Sequence, residues 1–431
     1  AKWPSWPSAG PIFLGFAHII NDCAAGDARR CMNSISSAAV SAFSFIRSWF
    51  GDVFNEGEAV AFKRRFLDAM ITSTREIVNN GLRWSAFNDW VGSVWHAYDQ
   101  VKPAVTAWMV SVINKADLGW QSTYDPFMAD ISFRDMLHKT GLKTDNAEAE
   151  GFLTHANETE AEDLLEMAGK TEPQGPFDVR ENWPECLGIT GHVRFQSCEN
   201  CWSHVSALVT ESRLCISSHG RFTGKDAWLS QSFIAACRVD GEEDYCVGAS
   251  GATGFLTINR WGVPTGGPDE RGNAPFDIST CVPQMQPFMQ GIRCPAACSN
   301  WLYPRSLQSD LFYPKFAPRG LSPTRSMTLY FVKKSLMEEG PILVGFFPKQ
   351  DFQSYTSGIY KPLNDPRNKN IGGHAVTGMG FGPGYILCVN SWGTVWGIKG
   401  AFKIGPESVD YGYFLPGKPS WGSGSYPVPV P

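Results

Sequence analysis

The spacing of the cysteines restricts the fold of this chain more than any other feature. Eight of its 12 cysteines lie between Cys186 and Cys294, within a chain of 431 residues. Such a density is typical of disulfide-bonded proteins in oxidising surroundings: the secretory pathway, a lysosome-like acidic compartment or the extracellular space. We therefore expect a domain held by several disulfides in the second half of the chain.

Composition narrows the remaining possibilities. Hydrophobic residues make up 43% of the chain and charged residues 18%, so a large core can form. The net charge is −5 and no basic run is present, which argues against nucleic acid as a partner. The apolar run "PIFLGFAHII" is about half as long as a membrane-spanning helix. No membrane span is expected.

The first part of the chain, residues 1–110, is predicted to be a helical extension. Its segment "GEAVAFKRRFLDAMITSTREIVNNG" repeats apolar side chains at helical spacing. These side chains are Phe62, Phe66, Met70 and Ile77. The extension is a candidate surface for a protein partner, and Cys23 and Cys31 within it are candidates for a bridge.

The chain then changes character twice. Residues 144–175 are polar and acidic, which is typical of an exposed linker and indicates a processing site. Beyond the linker, the segment "CWSHVSALVTESRLCI" is predicted to form a helix with Val205, Leu208 and Val209 on its buried side. Segments with the pattern of β-strands follow it. A helical half followed by a strand half predicts an α+β domain, with a flexible tail at residues 418–431.

The pair of cysteines in "QSCENCW" allows three interpretations: a metal site, a redox pair, or a structural cysteine beside a nucleophile. Zinc requires further Cys or His ligands at short spacing, and no histidine lies between His219 and His374. A disulfide exchanger would place the pair in a thioredoxin-like βαβ pattern, which the flanking sequence does not show. We therefore expect no metal and no cofactor, and we favour the nucleophile.

Three residues in a fixed order support a nucleophilic cysteine. Cys201 begins the predicted helix, where the helix dipole favours a thiolate. His374 opens a glycine-rich strand and supplies a base, and Asn390 offers an amide that can orient the imidazole. Taken alone, His374 or Asn390 would be interpreted as a structural residue.

Four segments in the same order resemble papain-superfamily cysteine proteases of the cathepsin B branch. "FDVRENWPEC" resembles the start of the mature enzyme, "QSCENCW" the nucleophile segment, "GGHAVTGMGFG" the histidine strand and "NSWGTVWGIKGAFKI" the asparagine–tryptophan segment. The resemblance implies a papain-like peptidase domain over residues 176–417. Its two subdomains are a helical left half and a β-barrel-like right half.

The resemblance also implies the role of each site residue. Cys201 is the nucleophile, His374 is the general base and acid, and Asn390 orients His374. Gln196 supplies one oxyanion-hole donor and the backbone N–H of Cys201 supplies the other. The residues expected to line the substrate cleft are Glu199, Asn200, Trp202, Gly248, Ala249, Gly373 and Trp392.

The resemblance further implies four disulfides in the peptidase domain. They pair Cys186 with Cys215, Cys198 with Cys246, Cys237 with Cys294, and Cys281 with Cys298. The remaining Cys388 is expected to be a buried thiol.

Residues 111–143 resemble the short cathepsin B-type propeptide. The resemblance implies that Trp120 anchors this propeptide, and that His138, Lys139 and Thr140 pass near the nucleophile in the non-productive direction. The propeptide would then inhibit the enzyme to which it is attached, and the chain would be a zymogen.

The sequence departs from the family in the cleft. Glu199 and Asn200 replace a Gly-Ser pair, and Ala249 replaces a glycine. The insertion at about residues 265–305 lacks the paired histidines with which cathepsin B binds a substrate's C-terminal carboxylate, so release of C-terminal dipeptides is expected to be weak or absent.

The resulting prediction is a cysteine endopeptidase that hydrolyses peptide or protein substrates through a thioacyl-enzyme intermediate. The altered cleft residues keep one alternative open. In that alternative the chain is a catalytically weakened cathepsin-like scaffold with a binding or structural role.

Overall fold

The structure, a computed structural model, describes residues 10–50, 56–81, 86–123, 131–143, 170–224, 227–242, 244–266, 280–283, 293–323 and 327–421. The chain divides into two compact units, which are Ala1–Ala116 with Thr123–Met136, and Asp117–Ser122 with Leu137–Pro431. Residues 144–169 of the predicted linker and residues 422–431 of the predicted tail lie outside the described residues.

The first unit is helical, as the apolar spacing predicted. Its helices are α1 (Gly10–Ala24), α2 (Ala28–Phe50), α3 (Glu56–Asn79), α4 (Phe87–Val101) and α5 (Ala107–Ala116), and the short α6 (Phe133–Leu137) extends one residue beyond the end of the unit. Phe62, Phe66 and Met70 of the α3 stripe are fully buried in its core. A disulfide between Cys23 and Cys31 joins α1 to α2.

The second unit combines helices with a large sheet, which confirms the α+β prediction. Its helices are α7 (Val179–Asn182), α8 (Leu187–Thr190), α9 (Cys201–Ser217), α10 (Gln231–Ala236), α11 (Thr253–Trp261), α12 (Leu307–Asp310) and α13 (Thr328–Glu338), with 3-10 turns at Pro184–Cys186, Gln350–Ser354 and Pro406–Ser408. Its strands are β1 (Trp120–Ser122), β2 (Phe177–Asp178), β3 (Pro314–Lys315), β4 (Arg319–Leu321), β5 (Ile342–Phe346), β6 (Tyr355–Tyr360), β7 (His374–Gly382), β8 (Tyr385–Val389), β9 (Ala401–Ile404), β10 (Gly412–Leu415) and β11 (Ser420–Trp421).

Nine of these strands form one sheet in the order β1-β6-β9-β8-β7-β5-β10-β4, and β2 pairs with β7. All pairs in it are antiparallel except β6 with β9. β7 is buried at every position, because strands lie on both sides of it and α9 packs on its face. The second sheet pairs β11 with β3, so regular structure extends into the predicted tail as far as Trp421.

Helix α9 is buried on all sides, whereas the sequence pattern predicted a single buried side. Its residues from Cys201 to Ile216 are all buried, because α10, α11 and β7 pack around it. Buried charges on α9 are therefore paired. Glu211 accepts from Arg194 at 2.8 Å, and Arg213 donates to Glu339 at 2.8 Å and to the carbonyl of Pro341 at 2.8 Å.

Four disulfides stabilise the second unit, and they join the four pairs of cysteines that the family resemblance implied. Two of them attach α9 and the turn before it: Cys186–Cys215 holds the end of the helix, and Cys198–Cys246 holds the turn. Within the described part of the chain, no helix is both long enough and apolar enough to cross a membrane.

Candidate active site

The turn before α9 presents Cys201 as a free, fully buried thiol. Cys198 is bonded to Cys246 and therefore offers no thiolate to a metal or to Cys201. The N–H of Asn200 donates to the carbonyl of Cys198 at 2.8 Å, which closes a tight turn directly before the helix. Cys201 is therefore held at the first position of α9, where free backbone N–H groups point out of the helix.

His374 is the first residue of β7, and its imidazole is oriented by Asn390, which directly follows β8. His374 Nε2 lies 2.8 Å from Asn390 Oδ1. Asn390 Oδ1 also accepts from the backbone N–H of Ser391 at 2.8 Å, so this atom is the amide oxygen and Nε2 must be the donor. In the neutral imidazole the proton acceptor is then Nδ1, which is buried and has no hydrogen-bond partner among the described residues.

Trp392 covers the imidazole. Its ring stacks on His374 with centroids 5.0 Å apart and an interplanar angle of 28°, and both residues are buried. An apolar cover strengthens the hydrogen bond between His374 and Asn390, because water cannot compete for it.

The start of β7 lies against the start of α9. The backbone N–H of Ala375, the residue after His374, donates to Cys201 Sγ at 3.4 Å. Ala375 and Cys201 are 174 positions apart in sequence, yet the fold brings them together at the sulfur. The structure therefore brings together the thiol, the imidazole and the amide that the sequence singled out.

Gln196 is fixed by Ser391. Its backbone N–H donates to the carbonyl of Ser391 at 2.7 Å, and its Oε1 accepts from Ser391 Oγ at 2.5 Å. These bonds leave Nε2 as a donor to the carbonyls of Cys198 at 2.8 Å and Lys139 at 3.0 Å. Ser391 has no role in the sequence-based prediction, although it is the residue next to Asn390.

Residues 138–143, here called the covering segment, pass over the sulfur. The N–H of Leu142 donates to Gly373 O at 2.8 Å, and the N–H of Lys143 donates to Ala249 O at 2.9 Å. The N–H of Ala249 donates in return to Gly141 O at 2.8 Å. The covering segment therefore occupies the space between Ala249 and Gly373, two residues expected to line the cleft.

Two glycines make this close approach possible. A Cβ atom on Gly141 would lie 1.9 Å from the carbonyl oxygen of Glu199, and a Cβ atom on Gly373 would lie 2.2 Å from the carbonyl oxygen of Leu142. Neither distance is compatible with a side chain. The backbone N–H of Gly141 also points at Cys201 Sγ. No sequence pattern indicates this role of Gly141, because the role depends on a contact with residues distant in sequence.

Three other residues expected to line the cleft, Asn200, Trp202 and Gly248, are held by contacts within the second unit. Asn200 is buried, and its carbonyl accepts from the N–H of Ser203 inside α9. Trp202 is buried beneath the guanidinium of Arg238, which is 5.0 Å from the ring centroid. The same guanidinium donates to Gly248 O at 3.0 Å, so Trp202 and Gly248 are held by one side chain.

Glu199 lies at the rim of the cleft and contacts the covering segment. Its Oε1 is 3.0 Å from Nδ1 of His138. The Glu199 side chain is 33% exposed and the His138 side chain 54% exposed, so this contact is partly open to solvent. Glu199 departs from the family's glycine, and the structure gives its carboxylate a partner within the same chain.

Trp120 forms a second contact between the predicted propeptide and the predicted peptidase domain. It is buried, its ring stacks on Tyr355 with centroids 6.0 Å apart, and its Nε1 donates to Lys361 O at 2.8 Å. Its strand β1 pairs with β6.

Burial controls the charge of both reactive groups while the covering segment is in place. It raises the pKa of the Cys201 thiol to about 11, although the N–H groups of Ala375, Gly141 and Trp202 oppose the shift. Burial also lowers the pKa of His374 to about 4, against the opposing effect of its hydrogen bond to Asn390. Between these values the thiol and the imidazole are both neutral.

Comparison with known proteins identifies the family of this chain. The sequence profile of the papain family cysteine proteases matches residues 174–412. The chain belongs to the papain family of cysteine proteases. It is accordingly a hydrolase, and the matched region contains the thiol, the imidazole and the amide described above.

Several relatives of this papain-family chain carry cathepsin B-like names. A cathepsin B-like cysteine proteinase 5 from Caenorhabditis elegans is 30% identical over 254 residues, which span 53% of this chain and 68% of that protein. A cathepsin B-like cysteine proteinase from Schistosoma japonicum is 27% identical, over 69% of this chain and 84% of its own length. The solved structure of procathepsin B S9 from Trypanosoma congolense is similar in fold, with a TM-score of 0.55, 21% identity, and coverage of 74% of this chain and all of that one.

The neutral thiol predicts a distinctive pH dependence of alkylation in the uncleaved chain. The thiolate is the reactive form, and raising its pKa to about 11 confines it to alkaline solution. The rate of Cys201 alkylation by iodoacetamide should therefore keep rising through pH 9, with no plateau between pH 5 and 8. Peptide mapping by mass spectrometry separates Cys201 from the other free thiol, Cys388. A plateau below pH 8 in uncleaved protein would contradict the prediction.

The tight fit of Gly141 predicts that Gly141→Ala displaces the covering segment. The added methyl group would meet the Glu199 carbonyl, so the segment has to lift away from Cys201. We expect alkylation of Cys201 in the uncleaved variant to be at least about ten times faster than in the wild type, because this rate reports access to the sulfur. Gly92→Ala is the matched control, since a Cβ atom at Gly92 meets nothing within 4 Å. Equal rates of Cys201 alkylation in the wild type and Gly141→Ala would show that the fit of Gly141 does not limit access to the sulfur.

Proposed function

We propose that the chain is the zymogen of a cysteine endopeptidase in which Cys201, His374 and Asn390 form the catalytic site. The hydrogen bond between His374 Nε2 and Asn390 Oδ1, at 2.8 Å, carries this proposal. It fixes the tautomer in which Nδ1 is the proton acceptor, and the residue after His374 touches the sulfur of Cys201.

The proposed reaction begins when the propeptide leaves and water re-enters the cleft. The burial penalty on charge then falls, and the proton of the Cys201 thiol moves to Nδ1 of His374. The thiolate attacks the carbonyl carbon of the substrate, a C–S bond forms, and the carbonyl electrons move to the oxygen. The C–N bond then breaks while His374 Nδ1 returns the proton to the departing amine. This leaves a thioacyl-enzyme.

Water completes the cycle in the proposed second half. His374 Nδ1 removes a proton from the water as it attacks the acyl carbon, the C–S bond breaks, and the thiol of Cys201 is restored with release of a carboxylic acid. Gln196 Nε2 and the backbone N–H of Cys201 stabilise the oxyanion in both halves. The bond from Gln196 Nε2 to the carbonyl oxygen of Lys139 supports this assignment, since the donor already binds a peptide carbonyl.

The covering segment is proposed to inhibit the enzyme to which it is attached. It presents the N–H of Gly141 to the sulfur, so the thiol meets a hydrogen-bond donor and not a carbonyl carbon. The Trp120 contact is proposed to hold the propeptide from its other end. Activation then requires a cut between about residues 144 and 176, after which the mature enzyme begins near Phe177.

The absence of histidine from residues 265–305 supports cleavage within chains over release of C-terminal dipeptides. A terminal carboxylate has to be neutralised when it is bound out of water, and the family's histidines perform this task. Residues 1–110 remain a proposed partner-binding extension. The proposed location remains the secretory pathway, with a lysosome-like acidic compartment or the extracellular space as the destination.

Substitution of the catalytic residues tests the proposed function. In protein matured by acid treatment, Cys201→Ala should abolish hydrolysis of a fluorogenic dipeptide substrate, and His374→Ala should lower kcat/KM by roughly 10³-fold or more. Asn390→Ala should cause a smaller loss, because it affects the orientation of His374 and not the attacking atom. Asn364→Ala is the matched control, since Asn364 is exposed.

The alternative of a catalytically weakened scaffold gives a different result in the same experiment. Matured wild-type protein would then hydrolyse no substrate, and an epoxide probe would fail to label Cys201. Turnover by the wild type that is lost in Cys201→Ala excludes the scaffold.

A further inference from the structure

Glu199 is a charged residue beside the nucleophile for which the catalytic steps require no role. It lies two residues before Cys201, between the Cys198–Cys246 disulfide and the start of α9. The disulfide and the Asn200–Cys198 hydrogen bond fix the backbone of this turn. The carboxylate of Glu199 therefore projects from a rigid wall of the cleft.

The covering segment shows which part of a substrate would lie beside this wall. Gly141 presents its N–H to Cys201 Sγ, and its α-carbon fits between the backbones of Glu199 and Gly248. A Cβ atom at Gly248 would lie 2.5 Å from Gly141 O, so this space is narrow on both sides. A substrate residue whose carbonyl carbon bonds to Cys201 has to enter the same space.

The covering segment also shows what the carboxylate binds. The imidazole of His138 reaches Oε1 of Glu199 at 3.0 Å, and this contact is an ion pair when the imidazole is protonated. Other cations near the cleft are engaged elsewhere: Arg238 with Asp240 and Gly248, and Lys139 over the ring of Phe195. When the covering segment leaves, Glu199 loses its basic partner and faces the open cleft.

We propose that Glu199 selects a positively charged side chain, arginine or lysine, on the substrate residue whose carbonyl carbon is attacked by Cys201. This inference rests on the proposed function. A long basic side chain on that residue runs along the wall, with its aliphatic part against the backbone and its charge at the partly exposed carboxylate. The glycine that the family resemblance places at this position would offer no such charge.

The test compares two substrates that differ only in charge. Both carry leucine followed by the test residue and a fluorogenic amide, and the test residue is arginine in one and citrulline in the other. Citrulline has the shape of arginine without its charge. The readout is the ratio of kcat/KM for the two substrates, which does not depend on the fraction of active enzyme.

Wild-type matured enzyme should prefer arginine over citrulline by about fivefold, a value appropriate to a partly exposed ion pair. Glu199→Gln should bring the ratio close to one, while Glu199→Asp should keep a preference for arginine. Raising NaCl from about 0.05 M to 0.5 M should reduce the ratio in the wild type but not in Glu199→Gln, because salt screens a charge pair at the surface.

Two outcomes overturn the inference. A wild-type ratio near one means that no charge is sensed, and an unchanged ratio in Glu199→Gln means that another residue senses it. Failure of the proposed function looks different: neither substrate is cleaved by any variant, and an epoxide probe leaves Cys201 unlabelled. That result removes the selectivity together with the catalysis.

Discussion

The contact between the first residue of α9 and the start of β7 is the constraint on which the site depends. The N–H of Ala375 donates to Cys201 Sγ at 3.4 Å. Helix α9 and strand β7 of the second unit therefore meet at a single sulfur atom. Small shifts of either element would separate the thiol from the imidazole. The burial of α9 on all sides and the disulfides near both of its ends oppose such shifts.

A second layer of contacts orients the polar groups around this meeting point. Ser391 alone makes three hydrogen bonds: its N–H binds Asn390 Oδ1, its hydroxyl binds Gln196 Oε1, and its carbonyl accepts from the N–H of Gln196. The amide that orients the imidazole and the amide proposed to bind the oxyanion are therefore fixed by one residue. These hydrogen bonds hold each of the two amides in one orientation.

The residues of the site could be predicted from sequence because each carries a local signal. Cys201 opens an apolar helical pattern, His374 opens a glycine-rich strand, and the papain-like segments occur in the family's order. The prediction of a single buried side for α9 was wrong. Charged residues such as Glu211 and Arg213 are usually exposed, and their ion-pair partners, which allow their burial, are distant in sequence. The partnership of His138 with Glu199 spans 61 positions, and no periodicity in either segment encodes it.

The anchoring of Trp120 has a consequence for how the proposed inhibition by the propeptide would end. Trp120 and the covering segment make separate contacts with other residues of the second unit, and residues 121–137 join them in sequence. While one contact is intact, it keeps the two surfaces of the other contact close together. The effective concentration of each surface for the other is then high, and a broken contact re-forms quickly. A cut beyond Lys143 leaves both contacts in place. Under the proposed inhibition, activity would then depend on dissociation of the released fragment, and freshly cut enzyme at high protein concentration would keep its former N-terminal part bound.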